Sequence, residues 1–410
     1  MGKTLRISGK KLLFPLKTFC FLFFLSLPII SAYLVGLFDY FLKSSDTSSF
    51  IADNYVDPAQ VDLVFPEKKR NLIYIYAESF ESSYFSKELG GIEEENLLEG
   101  ITSLTQKNLN FSNTRMNGGA QVVYGTNFTT GGMTAQMLGL PSKTNLKFFT
   151  STVLEKRYLP SATGLGDILL ENGYSQYFLI GSDKHFGNRD LLLKDHGNYR
   201  IYDYYSAIEE GRVPSDYYVW WGIEDGKLFE TAKEQLGDIS HNNAPFNYTI
   251  LTTNTHHFDG YQEEDCNASY DDPYANAIYC SAFQIADFIS WAQRQDFYQN
   301  TTIVLVGDHQ SMNNNHFSPE ISPDERFVYN LFINAPISAA NSKNRTFLTL
   351  DFFPTTLASI GVKIEGDRLG LGTNLFSDKE TLAEEYGMHY IDIELSKQSD
   401  FYNDRFFKSD

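Results

Sequence analysis

Two short apolar runs in this chain end on residues able to bind a metal ion. Asn71–Tyr76 leads into Ala77-Glu78-Ser79, and Ile303–Val306 leads into Gly307-Asp308-His309-Gln310. A carboxylate at one run's end and a carboxylate–imidazole pair at the other's make a hard-to-borderline donor set, suited to Mn, Mg or Zn. Between them lies VYGTNFTTGGM (123–133), with Thr126, Thr129 and Thr130 and neither acid nor base. A threonine hydroxyl is a poor nucleophile until it is activated, and metal coordination is one way to activate it. A helix N-terminus just after it would favour a phosphoryl oxygen nearby. Thr129 with Glu78, Asp308 and His309 would make a four-ligand site that includes the nucleophile. Each has a plainer alternative: a strand-end acid for Glu78, a cap for Asp308, a structural imidazole for His309, a helix N-cap for Thr129.

Two further clusters follow apolar runs. Thr255-His256-His257-Phe258 comes after 246–253, and Asp183 to Asp190, which contains His185 and Arg189, comes after 177–180. A histidine and an arginine brought in this way could hold a phosphate oxygen without binding metal. Solvated loop polars are the alternative, and for His185 the better one. Trp220-Trp221 reads as packing or as the wall of a pocket.

The elements that must position these residues alternate. Strands are expected at Asn71–Tyr76, 177–180, 246–253, Thr301–Val306 and 327–333. Helices are expected at Met133–Leu140 (stopped by Pro141), 165–170, 227–236, 273–293 and 351–360. Apolar strands separated by helices argue for an α/β fold, a mostly parallel central sheet flanked by helices, with chemistry outside the carboxyl ends of the strands.

The chain has 410 residues, 21% charged and 42% hydrophobic, with a formal net charge of -19. That sign excludes a nucleic-acid binder and gives no electrostatic hold on anionic lipid. From Thr18 to Phe38 run 21 residues without a charge, preceded by Arg6, Lys10, Lys11 and Lys17. The expectation is one transmembrane helix with the N-terminus cytoplasmic and the folded part exported. A cleaved signal peptide, with Ile30-Ser31-Ala32 as the cleavage site, is the alternative. The organisation expected is a basic tail (1–17), an anchor (18–42), a linker (43–69), a catalytic domain (70–385) and a tail (386–410) that packs on the domain or extends it. Cys266 and Cys280, in the exported part, are expected to form a disulfide, two free thiols being the alternative.

In order, NLIYIYAESFESSYF, GTNFTTGGMTAQMLGLP, GNRD (187–190), WGIEDGKLF, LTTNTHHFDG, VLVGDH, DFFPTTLASIG and LGLGTNLF resemble the phosphoglycerol transferase and lipoteichoic acid synthase family of the alkaline phosphatase and sulfatase superfamily. The resemblance covers roughly residues 70 to 380. It implies one Mn or Mg ion, Zn less so, on Glu78, Thr129, Asp308 and His309, with Thr129 as nucleophile and Arg189 and His256 as substrate contacts. It implies transfer of glycerol phosphate from phosphatidylglycerol, by way of the threonine, to an acceptor hydroxyl. Gly187 departs from the lipoteichoic acid synthases, which carry tryptophan there. The cysteines that follow the THH string look more like the glucan-modifying phosphoglycerol transferases of the Gram-negative periplasm. The implied setting is the inner membrane with the domain in the periplasm, a glycan acceptor and no obligate protein partner. Phosphoethanolamine transfer and phosphodiester hydrolysis are the rival chemistries. A sulfatase would need a cysteine or serine in a Cys/Ser-x-Pro/Ala-x-Arg context, which neither Cys266, Cys280 nor any serine near 129 has.

Overall fold

In the computed structural model the described residues are 46–143, 156–242, 244–313 and 315–407, with Phe21, Phe23, Phe24, Ser26 and Leu27. The central sheet has strands β1 (Asn71–Ala77), β2 (Ser175–Ile180), β3 (Arg200–Tyr202), β4 (Phe246–Leu251), β5 (Thr301–Gly307) and β6 (Asn330–Ile333). Their spatial order is β3-β2-β4-β1-β5-β6. The first five run parallel and β6 lies antiparallel on β5, so the sheet is mixed.

These strands are continuous apolar runs because both faces of the sheet are covered. Leu72, Tyr74, Tyr76, Val304 and Val306 enter one core, while Ile73, Ile75, Ile303 and Leu305 enter the other, the two-residue alternation of a pleated strand. We label the helices of seven residues or more α1 (Glu99–Lys107), α2 (Thr129–Leu138), α3 (Leu165–Glu171), α4 (Arg189–Asp195), α5 (Asp225–Ile239), α6 (Pro273–Ala292), α7 (Phe352–Ser359), α8 (Met388–Ser396) and α9 (Asp400–Phe406). α2, α3, α4 and α7 cover the first face; α1, α5 and α6 cover the second.

The C-terminal segment folds back as α8 and α9, burying Ile391, Leu395, Tyr402 and Phe406 in the first core. Phe50 and Ile51, in the segment expected as a linker, are buried there too.

The span expected over 18–38 lies outside the described residues except for Phe21, Phe23, Phe24, Ser26 and Leu27. No helix among the described residues is long and apolar enough to cross a membrane, which takes about 20 predominantly apolar residues. The longest, α6, turns its apolar stripe to the sheet. The transmembrane anchor, the single-pass inner-membrane placement with its periplasmic domain, and the inner-membrane partner are corrected accordingly.

Candidate active site

β1 and β5 are neighbours, with Ala77 opposite Gly307. The next residue of each chain segment is therefore Glu78 on one side and Asp308 on the other, both at the carboxyl end of the sheet. Glu78, Asp308 and His309 are 2%, 0% and 1% exposed, and one ligand atom from each can be chosen so that all lie within 4.8 Å of one another. His309 Nε2 is 3.4 Å from Glu78 Oε1 and 3.3 Å from Asp308 Oδ2.

Local hydrogen bonds orient each group. The amides of Ser79 (2.8 Å) and His309 (2.9 Å) both donate to Asp308 Oδ1, and Asp308 Oδ2, also buried, has no hydrogen-bond partner. Ser79 Oγ donates to Glu78 Oε1 at 2.9 Å, while Thr252 and Thr255 fasten the Glu78 backbone. His309 Nδ1–H donates to the Gln310 carbonyl at 2.6 Å, which leaves Nε2 to face the carboxylates.

The electrostatics of the trio call for positive charge. Burial pushes Glu78 up, but the His309 hydrogen bond and charge outweigh it and hold Glu78 below its ordinary value. Burial, then the Glu78 charge, raise Asp308. Burial lowers His309, and the charges of Asp308 and Glu78 with the Glu78 hydrogen bond more than reverse that. A proton on the imidazole supplies one positive charge; a divalent cation would supply two. An orphaned buried carboxylate oxygen, a second carboxylate and an imidazole nitrogen with its other nitrogen already donating are a donor set that fits such an ion.

Of the three threonines in the loop, one addresses this trio. Thr129 Oγ1 donates to Glu78 Oε2 at 3.3 Å and lies 3.5 Å from His309 Nε2. Thr126 Oγ1 is held by the amide and carbonyl of Val123, and Thr130 Oγ1 donates to the Gly187 carbonyl. Thr129 is the first residue of α2, with no side-chain cap at that end. The helix begins four residues earlier than its apolar pattern suggests, because Gly131 and Gly132 are helical. A Cβ on Gly132 would stand 2.0 Å from the Asp308 carbonyl oxygen, so glycine is what lets the helix start lie against the Asp308 backbone.

The Thr130–Gly187 bond ties α2 to the loop that precedes α4. There Arg189 is buried, donating through one Nη to Ser182 Oγ (3.1 Å) and the Asp183 carbonyl (2.8 Å), with its buried Nε lacking an acceptor. Burial lowers its pKa, and the charges of Glu78, Asp183, Asp308 and Asp190 oppose that. His256 donates from Nδ1 to the His257 carbonyl at 2.7 Å, and its ring lies 4.5 Å from that of Trp221. Neither Arg189 nor His256 belongs to the metal-capable trio. His185 points to solvent and pairs with Asp190. Cys266 and Cys280 are joined as a disulfide with Cα atoms 5.9 Å apart, tying the loop after β4 to α6.

Sequence reasoning missed Ser79, whose amide and hydroxyl orient both carboxylates, and the Gln310 carbonyl that sets the His309 tautomer. Ser79 adjoins Glu78 in the string and so was within reach. Its positive φ of 53° has no signature in a serine.

The Sulfatase family matches residues 70–362. Phosphoglycerol transferase I of Escherichia coli O127:H6 is 31% identical over 281 residues, covering 66% of this chain and 34% of that protein. The chain thus spans about a third of the length of the curated relatives it matches. The lipoteichoic acid synthase LtaP from Listeria monocytogenes shares the fold at a TM-score of 0.60 and 18% identity, over 81% of this chain and 82% of that one. The C-terminal periplasmic domain of EcEptC from Escherichia coli does so at 0.51 and 14%, over 80% and 92%. The sulfatase match and the buried Glu78–Asp308–His309 trio support catalytic activity of the sulfatase type, and the two solved structures share the fold. The match over residues 70–362 makes this chain a member of the sulfatase family, in the alkaline phosphatase superfamily, related to the phosphoglycerol transferases and lipoteichoic acid synthases.

Proposed function

We propose that the protein transfers glycerol phosphate from phosphatidylglycerol to a glycan hydroxyl through a covalent phosphoglycerol–Thr129 intermediate. Glu78, Asp308, His309 and Thr129 would hold one Mn or Mg ion. The observation that carries this reading is that Thr129 alone of its loop turns its hydroxyl to the trio. Identity to phosphoglycerol transferase I supports the headgroup.

A divalent ion bound there supplies Lewis acidity to the hydroxyl and to the phosphoryl oxygens. Glu78 Oε2 accepts the Thr129 O–H and so orients the oxygen and offers its proton a first acceptor. In the first half-reaction Thr129 Oγ1 forms a bond to phosphorus as the diacylglycerol oxygen–phosphorus bond breaks. The proton lost from Thr129 is matched by one gained on the departing alcohol. Arg189 Nε, buried and without a protein acceptor, would donate to a phosphoryl oxygen as negative charge develops. His256, its ring packed on Trp221, would make a second contact to the substrate.

Incubating the full chain with Mn and headgroup-labelled phosphatidylglycerol, followed by peptide mapping, is the test. The expected adduct is phosphoglycerol on the peptide containing Thr129. Thr129→Ala should abolish adduct and turnover, while Thr126→Ala should retain both and Thr130→Ala a substantial part. Turnover by a metal-loaded Thr129→Ala protein at near the wild-type rate would refute the nucleophile. An adduct from phosphatidylethanolamine alone would replace the headgroup.

A further inference from the structure

The Gln310 carbonyl that accepts the His309 Nδ1–H belongs to a peptide unit whose other pole is also taken. Across that planar trans unit the Ser311 N–H donates to Glu81 Oε1 at 2.8 Å. Glu81 pairs with Arg326, and the two are 0% and 3% exposed. Arg326 Nε donates to Glu81 Oε2 at 3.1 Å and Nη2 to Oε1, so the fork holds both carboxylate oxygens. The same Nη2 donates to the Ser311 carbonyl at 2.8 Å, and the Arg326 carbonyl accepts from Gln310 Nε2. The guanidinium carbon stands 3.7 Å from the centre of the Phe317 ring. Two residues 245 apart in the chain thus grip 310 and 311 together.

A buried ion pair is weak ground for stability, since apolar side chains of similar volume often serve as well or better. What an apolar pair could not do is accept an N–H. The Glu81 carboxylate draws on the Ser311 amide, and through the shared peptide resonance it makes the Gln310 carbonyl a stronger acceptor. That carbonyl holds the imidazole by Nδ1–H, so Nε2 is the nitrogen turned to the carboxylates and to an ion among them. Glu81 itself is not one of the metal-capable trio. Its carboxylate stands one peptide behind the histidine, where a metal-binding imidazole commonly has a carboxylate or carbonyl directly.

We propose that Glu81, locked by Arg326, is a positioning residue for His309, acting through the Gln310–Ser311 peptide to set the imidazole for the divalent ion. This rests on the reading that the trio holds such an ion.

Glu81→Ala would strand the Arg326 charge in the interior, so the test uses two neutral pairs in the full chain. Glu81→Met with Arg326→Met fills the space and leaves the Ser311 amide without its acceptor. Glu81→Gln with Arg326→Met restores an acceptor oxygen. Mn affinity, read from the spin-resonance signal of free Mn, should fall about ten-fold in the first pair, the low end for a lost outer-shell partner, and return to within about three-fold of wild type in the second. In a His309→Ala background the methionine pair should change affinity by less than about two-fold, because the ring it serves is gone. Equal losses in both backgrounds are what a merely structural role gives, and they would overturn the proposal. So would wild-type affinity in the methionine pair, or no recovery in the glutamine pair. Replacing the Gln310–Ser311 amide by an ester deletes the N–H and leaves the ion pair whole, so the link is tested even where the paired variants do not fold; unchanged affinity there would also overturn it. A wild-type chain that takes up no Mn would overturn the metal reading itself, which tells the two failures apart.

Discussion

Ser79 carries more of the site than its size suggests. Its amide fixes Asp308 Oδ1 and its hydroxyl fixes Glu78 Oε1, from a left-handed backbone that a side chain rarely adopts. Ser79→Ala keeps the amide and deletes the hydroxyl, so one carboxylate loses its orientation while the fold stands. Mn affinity, followed by calorimetric titration, should fall roughly 10–100-fold, the usual cost of losing an outer-shell partner. An affinity equal to wild type would leave Ser79 a turn residue only. Asp308→Asn is the harsher comparison, since it replaces an oxygen of the trio itself. Glu78, Asp308 and His309 were within reach of the sequence because each follows an apolar run, whereas Thr129 was singled out from its loop by the family resemblance. The hydrogen bonds that aim them were out of reach, because they join residues far apart in the chain.

At the level of elements, α2 is fitted against the β5 end. Gly132→Ala places a Cβ where the Asp308 carbonyl oxygen stands, so helix or loop must move. Overpacking of this kind costs about 1–3 kcal/mol. We expect a lower thermal midpoint and slower formation of the Thr129 adduct, and a midpoint within error of wild type would argue against the fit. The same glycine explains a misreading. Gly131-Gly132 looks like a turn before a helix at 133, because glycine is a poor helix former, yet close approach to the Asp308 backbone outweighs propensity here. β1 and β5 were plain from their apolar runs. β3, three residues long, offers too little pattern to read. The sequence reading assigned no element to Arg189–Asp195, a helix of seven residues in which Leu192 and Leu193 are buried. The tail gave no choice between packing on the domain and extending it. Ile391 and Leu395, four apart on α8, and Tyr402 and Phe406, four apart on α9, are the spacing that decides it once the first core is there to receive them.

Across the molecule, one imidazole gathers three distant segments. His316 pairs through Nδ1 with Asp272, which also caps α6, and its Nε2 lies 3.3 Å from Glu93 Oε1. Burial lowers its pKa, and the bonds and charges of Glu93 and Asp272 reverse that and raise it above 6.5. The folded chain thus keeps a proton that the unfolded chain releases. The contribution to stability is whole below about pH 6.5 and is lost as pH rises through the folded-state value. Denaturant midpoints taken from acid to alkaline pH should show that decline, and His316→Gln should remove it; an identical decline in the variant would place the titration elsewhere. The pairing of Ala77 with Gly307 has a consequence for how the chain is judged once made. A slip of one residue between β1 and β5 would carry a carboxylate about 3.3 Å along the strand and alternate its face, whereas a metal site tolerates errors of about 0.2 Å. An ion captured here is therefore a certificate of assembly, issued only to molecules whose two catalytic strands, far apart in the chain, have met in step.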